Sequence, residues 1–314
     1  MIGVLASVEK RRKGFMVNYL EEFKEYLEVD QRKAKNTREA YLRDVKAFSH
    51  ILAEKNIASL GHATNTQLVG YLLKLKNDGK SGATVNRKVA SLRAFYSFMI
   101  DKGYINENPT VNIKSPKIER KDIQYLTVEE MDVLLSLPDG SLRGIRDKAI
   151  LEVLYATGIR VSEITEANLE DINLRMGFIT CKGDHGRARI VPMGRPAKAS
   201  LEEYVYDARP KMLGRDKEEG KDERSLFVNY AGNRITRQGL WKIIKGYAKK
   251  AGLESNITPQ TLRNSFAVHM IQNGADIKSL QELLGHDDVT ATQVFLSVTK
   301  SRIKEVYDHA HPRA

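Results

Sequence analysis

Apolar positions recur three and four apart through the first hundred residues. In VNYLEEFKEYLEV they are Leu20, Phe23 and Leu27, and after the basic QRKAKN they are Tyr41, Val45, Phe48 and Leu52. This spacing places each set on one face of a 3.6-residue helix. The first pattern predicts a helix, and the second predicts another with Thr37 as its N-cap. A third helix is expected over roughly 66–77, ended by Gly79. A fourth follows Ser81-Gly82, buries Val85, Val89, Leu92, Phe95 and Met99, and stops at Gly103. Strand-like alternation is missing, so residues 17–105 read as a small all-α domain behind an extension at 1–16.

The pattern then lapses. NENPTVNIKSPKIERKD carries two prolines and alternating charge, which marks residues 106–123 as a basic linker. Thr127-Val-Glu-Glu130 has capping-box spacing ahead of an apolar helix, a fresh domain start. The domain at 124–314 mixes elements. Helices are expected at 146–155 and 161–167 around the turn Ala156-Thr-Gly-Ile-Arg160. GFITCKGDHGRARIVPM reads as strands 178–181 and 188–191 joined by a hairpin turn at 182–187. LGRDKEEGKDER is a charged surface loop, and from Leu240 the chain is helical again, broken at 257–259 and at 273–274. The fold class predicted is mainly α with a small antiparallel β-sheet: a helical domain followed by a mixed α+β domain.

Composition narrows the partner. There are 51 Lys+Arg against 40 Asp+Glu, a net charge of +11, which favours a polyanion because each neutralised phosphate releases condensed counterions. In the helical domain the basic residues gather at helix starts: Lys33, Lys35 and Arg38, then Lys80, Arg87 and Lys88. Each cluster taken alone fits a solvated face better than a DNA contact. No apolar run approaches the roughly 18 residues that span a bilayer, and the order of MIGVLASVEKRRKGF is wrong for a secretory signal. The single cysteine, Cys181, excludes an intramolecular disulfide and fits a reducing cytoplasm. No Cys/His cluster has zinc spacing, no paired carboxylates suggest Mg²⁺ and no P-loop occurs, so neither metal nor cofactor is expected.

Five polar residues stand where a core would not ask for them: Arg160 in a tight turn before a helix, Lys182 at a hairpin, Gln260 and Arg263 at a helix start, and His286 leaving a helix end. Two arginines with a lysine and a histidine suit a phosphoryl centre. Guanidinium binds phosphate oxygens bidentately, and an ammonium or imidazole can protonate a leaving alkoxide. Taken singly, each residue is as readily structural. Cys181 reads as a small residue closing a strand, and His185, His269, His309 and His311 read as structural or exposed. Arg187 and Arg189 could touch DNA or line a solvated edge.

Three blocks resemble the tyrosine recombinases, the site-specific DNA strand-exchange family: ATGIRVSEITEANLEDINL, the hairpin CKGDHGRARIVPM, and TPQTLRNSFAVHMIQNGADIKSLQELLGHDDVTATQVF. The helical domain, with SGATVNRKVASLRAFYSFMIDKG, is similar to the family's core-binding domain, and the short N-terminal extension points to the Xer-type subgroup. The resemblance implies that Arg160 and Arg263 clamp the scissile phosphate, Lys182 is the general acid and His286 binds a nonbridging oxygen. It further implies a tetramer of like or unlike recombinases on two double-stranded DNA sites, a C-terminal segment (303–314) docked on a neighbour, and a role in DNA integration or chromosome segregation, with a second recombinase or a DNA translocase as possible partners. Arg187 joins the implied DNA contacts. Gln260 stands where histidine is usual, and it lacks a useful pKa. Asn264 is a second departure.

The family's nucleophilic tyrosine falls nine residues beyond the histidine, where this chain has Phe295. A phenyl ring has no oxygen and cannot form the 3′-phosphotyrosyl bond. The first account is a designed tyrosine-to-phenylalanine change in a recombinase. The second is a naturally silent DNA-binding partner. The third, substitution by Tyr307, places the oxygen about 18 Å away along a continuous helix. A type IB topoisomerase-like enzyme would share the same pocket.

Overall fold

The computed structural model describes residues 19–31, 33–57, 59–116, 122–183, 188–214, 223–253, 257–286 and 288–296. The chain divides into two compact units, Met1–Lys121 and Asp122–Ala314.

The first unit contains α1 (19–29), α2 (Lys35–Glu54), α3 (Asn65–Asn77) and α4 (Gly82–Asp101). The apolar faces close on one another: Phe23, Leu27, Val45, Phe48, Val89, Phe95 and Phe98 share one core. Ser81 caps α4 by accepting from the Thr84 amide. Thr37 does not cap α2. The Thr37 and Arg38 amides both bond the Ala34 carbonyl, so Thr37 lies inside the first turn and the helix starts two residues earlier.

One buried carboxylate ties α2 to α4. Asp44, 1% exposed, accepts from Lys88 Nζ at 2.9 Å, from Ser91 Oγ at 2.9 Å and from the Arg87 guanidinium. A buried charge with three donors is fully partnered. Lys88 is largely covered, and its ammonium also lies 6.0 Å over the Tyr71 ring. Arg38 pairs with Glu28. Three of the basic residues expected to face DNA are thus engaged within the domain, while Lys33, Lys35 and Lys80 are exposed. Arg187 lies outside the described residues, as do His185, Tyr307, His309, His311 and the expected docking segment 303–314.

The second unit runs α5 (Val128–Ser136), α6 (Leu142–Thr157), α7 (Val161–Glu166), β1 (Ile172–Asn173), β2 (Phe178–Lys182), β3 (Ala188–Pro192), α8 (Arg195–Glu203), α9 (Arg209–Leu213), α10 (Arg237–Lys250), α11 (Pro259–Gln272), α12 (Ile277–Leu284) and α13 (290–296). A π-helical turn, Tyr204–Ala208, joins α8 to α9. The sheet is antiparallel in the order β1-β2-β3, with Cys181 opposite Arg189 and Lys182 opposite Ala188. Period-two alternation turns Ile179 and Cys181 inward and Lys182 outward. α6 is the central helix and starts four residues earlier than its apolar pattern indicates, because Ser141 caps it on the Gly144 amide. Two of its buried charges, Arg146 and Asp147, pair with each other and are completed by the Val228 carbonyl and the Tyr247 hydroxyl. A sequence pattern of hydrophobicity cannot anticipate such a polar insert. β1, with two residues, and α8 were likewise beyond it.

Replacing Asp44 by alanine leaves the largely covered Lys88 ammonium and the buried Ser91 hydroxyl without their carboxylate and is expected to destabilise the chain by about 3–5 kcal/mol. Urea unfolding followed by circular dichroism measures this, and a loss under about 1 kcal/mol would place the cluster among interactions of surface strength.

Candidate active site

Two glycine turns bring the site together. α6 ends at Gly158, whose φ of +57° and contact with Phe266 leave no room for a side chain: a Cβ there would sit 2.3 Å from the ring. The chain then re-enters a helix with Arg160 as the N-cap of α7. α12 ends at Gly285, φ +61°, where an added Cβ would meet the Arg189 guanidinium at 2.8 Å.

The last turn of α12 leaves carbonyls without helical partners, and its dipole end is negative. Three consecutive carbonyls are taken by three different arginines. Arg189 Nε donates to Leu283 at 2.7 Å, Arg263 Nη2 to Leu284 at 2.7 Å, and Arg160 Nη2 to Gly285. Arg263 also donates to the Gly158 carbonyl, which joins the two glycine turns.

Glu163 balances part of this charge. Its carboxylate is 5% exposed, receives both terminal nitrogens of Arg189, and accepts from the backbone and side chain of Arg160. Burial pushes its carboxyl up, but the hydrogen bonds from Arg189 and the Arg160 amide, with both guanidinium charges, outweigh that and hold it below the ordinary value. Arg263 is 4% exposed; burial and then the nearby Arg160 charge bring it down to about 10, which leaves it protonated at neutral pH. Three guanidiniums against one shared carboxylate leave a cationic excess, suited to an anion.

His286 completes the cluster. Its Nε2 lies 3.0 Å from Arg263 Nη2, and its Nδ1 lies 2.8 Å from Thr292 Oγ1. Guanidinium can only donate, so Nε2 accepts and the ring proton resides on Nδ1, facing the Thr292 hydroxyl. Thr292 is fully buried on α13, one turn before position 295.

Arg160, Arg263 and His286 therefore converge. Lys182 does not join them: its ammonium is 64% exposed and pairs with Asp171 at 2.8 Å and Glu170 at 3.9 Å. The hydrogen bond and charge of Asp171 raise its pKa. Gln260 is exposed and drawn along α11, donating to Asn264 Oδ1 at 2.9 Å, while Asn264 Nδ2 donates to the Gln124 carbonyl at 2.9 Å. Phe295 is 5% exposed and packs in an apolar cluster with Phe266, Val268, Leu280 and Leu284. Leu284 links that cluster to Arg263 through its carbonyl.

Three functional neighbours escaped the sequence reading. Glu163 stands three residues beyond Arg160, at capping-box spacing, which was the available signal. Arg189 is not a solvated edge: it is 14% exposed and spans Glu163 and α12. Thr292 carried no signal beyond a polar residue on a buried face. Cys181 behaves as expected, 3% exposed with burial pushing its thiol up to about 12. His269 is buried and bonds the Tyr155 hydroxyl at 2.9 Å.

Residues 124–302 match the phage integrase family, and residues 20–103 match its N-terminal SAM-like domain. The chain belongs to the phage integrase family. Among its relatives, the tyrosine recombinase XerD of Oceanobacillus iheyensis is 41% identical over 301 residues, covering 95% of this chain and 100% of that one. The XerD of Listeria monocytogenes serotype 4b is also 41% identical over 301 residues, with the same coverage. The crystal structure of XerA recombinase superposes with a TM-score of 0.52 at 28% identity, over 95% of this chain and 100% of that one. The XerH recombinase bound to palindromic difH substrate shares the fold, with a TM-score of 0.70 at 23% identity over 86% of this chain and 78% of that one. This integrase-family chain is thus related to enzymes of site-specific DNA recombination. Among the described residues, no group of three His, Cys, Asp or Glu could hold a metal, and no helix is long and apolar enough to cross a membrane.

Glu163→Gln tests the electrostatic frame. A carboxyl whose folded pKa is depressed contributes fully above its unfolded value, near 4.5, and loses that contribution as pH falls through the folded value. The variant is expected to lose about 3 kcal/mol at neutral pH. Its deficit should shrink below about pH 4 as the parent protonates. Urea titrations across that range provide the check, and a pH-independent deficit would assign the loss to packing instead.

Proposed function

We propose that this chain grips a duplex recombination site and clamps a backbone phosphate without cutting it. One observation carries the reading: Arg160, Arg263 and His286 meet at the end of α12 with cationic excess, while Phe295, at the position where the family's tyrosine would supply the attacking oxygen, is a buried phenyl ring. The two guanidiniums bind nonbridging oxygens and stabilise charge that develops at phosphorus. In a tyrosine-bearing protomer, a phenolic oxygen would attack, a 3′-phosphotyrosyl bond would form, and the 5′-oxygen would leave with a proton. Lys182 can supply that proton only after leaving Asp171.

A designed change accounts for Phe295 alone. Gln260, Asn264 and the Gln124 carbonyl form their own bonded chain, which one tyrosine-to-phenylalanine substitution does not explain. These departures favour a naturally silent protomer that acts beside tyrosine-bearing recombinases in a tetramer on two DNA sites. Affinity for DNA draws on Lys33, Lys35 and Lys80, and on α10, which carries Arg237, Lys242, Lys245, Lys249 and Lys250 with no acidic residue. On α10, Trp241 is 40% exposed, with the Lys245 ammonium 4.1 Å over its ring.

Footprinting on source DNA identifies the site, and a nicked suicide duplex of that sequence then reports covalent adduct. The chain itself is expected to bind without adduct, with affinity falling by about 10³-fold or more between 50 and 200 mM salt. Phe295→Tyr combined with Gln260→His and Asn264→His is expected to restore adduct at that site. Adduct from the unaltered chain, or salt-insensitive binding, would overturn the reading. Relaxation of site-free plasmid by the restored protein would favour the topoisomerase-like alternative.

A further inference from the structure

We propose that Thr292 is a positioning residue that lets His286 exchange tautomers when a phosphate enters, an inference resting on the phosphate-clamp reading above. In the free site Nε2 faces the Arg263 guanidinium and must accept, so the proton sits on Nδ1 and is received by the Thr292 hydroxyl. A phosphate oxygen arriving at Arg263 takes over that N–H. An imidazole lone pair left facing an anionic oxygen is repulsive, so Nε2 needs a proton there.

Thr292 is the group that makes this change inexpensive. A hydroxyl both donates and accepts. In the free site its oxygen accepts from Nδ1–H; with phosphate present its own O–H turns to donate to bare Nδ1, while Nε2–H points at the oxygen. One proton leaves Nδ1 and one arrives at Nε2 by exchange with solvent as the half-buried ring swings outward, so the number of ring protons is unchanged. A residue that only donates or only accepts would hold a single tautomer. The burial of Thr292 excludes water as a substitute partner. Because Thr292 sits one turn before position 295 on α13, the exchange also ties the histidine to the helix bearing the silent ring.

Imidazole nitrogen NMR reads the tautomer directly on the full chain, with His286→Gln identifying the signals among seven histidines. Free protein is expected to show Nδ1 protonated. Titration with inorganic phosphate is expected to move the arginine side-chain signals and reverse the tautomer ratio by about tenfold, the scale of one hydrogen bond. Thr292→Val is expected to keep the parent melting temperature within a few degrees yet no longer reverse the tautomer ratio when phosphate is added, and Thr292→Ser is expected to restore the reversal. Phosphate that shifts the arginines while leaving the tautomer unchanged overturns the exchange but not the clamp. Phosphate that shifts neither overturns both. Should Thr292→Val fail to fold, free parent protein protonated at Nε2 would still overturn the proposal.

Discussion

The site depends on the C-terminal turn of α12. Helix ends expose carbonyls that must find donors, and here the donors are side chains whose charge the site needs. Arg189, Arg263 and Arg160 take the carbonyls of Leu283, Leu284 and Gly285 in succession. Each bond fixes a long, rotamer-rich side chain before any ligand arrives, which removes an ordering cost from binding. The negative end of the helix dipole also offsets repulsion among three like charges packed close together. The glycines at 158 and 285 follow from this arrangement. Both occupy left-handed backbone, and each is pressed by a neighbour, Phe266 or Arg189, that belongs to the site's support.

Glu163 sets the sign and size of the remaining charge. Without it the cluster would repel itself; with a second carboxylate it would have no appetite for an anion. The bidentate Arg189–Glu163 contact joins β3 to α7, and the contact of Arg189 with Leu283 joins both to α12. One residue on a strand therefore holds two helices whose ends carry Arg160 and His286. Lys182, next in chain to Cys181 but on the opposite face of β2, is excluded by the alternation of the strand. Its ammonium pairs with Asp171 instead.

Much of this was legible beforehand. The helices of the first unit followed from apolar spacing, since that spacing is what buries Phe23, Val45, Phe48 and Phe95 in one core. Arg160, Arg263 and His286 were visible because each interrupts a helix boundary where hydrophobic logic expects nothing charged. Polar residues inside the cores were not visible. Asp44 engages Arg87 and Lys88 within the domain, a pairing that the linear pattern does not show because the carboxylate lies some 40 positions away. Arg189 was misread for the same reason: a linear pattern shows that a residue is charged, but not whether a distant Glu163 will cover it. Gln260 and Asn264 were seen as departures, while their mutual bond emerged only in three dimensions.

The retained charge argues against reading Phe295 as mere decay. Arg263 is held almost wholly out of water, and burial with a neighbouring guanidinium depresses its pKa. Holding it there is costly, and replacement of buried ions by apolar residues of similar size is often neutral or stabilising. Part of that cost is offset within the fold, since Arg263 satisfies the carbonyls of Gly158 and Leu284, and the cationic excess that remains suits an anion. The apolar surroundings of Phe295 make the complementary point. A phenyl ring packed against Phe266 and Leu284 needs no hydrogen-bond partner, while a phenol buried there would need one. The basic side of the site is held by backbone carbonyls, and the side that bears Phe295 is apolar core.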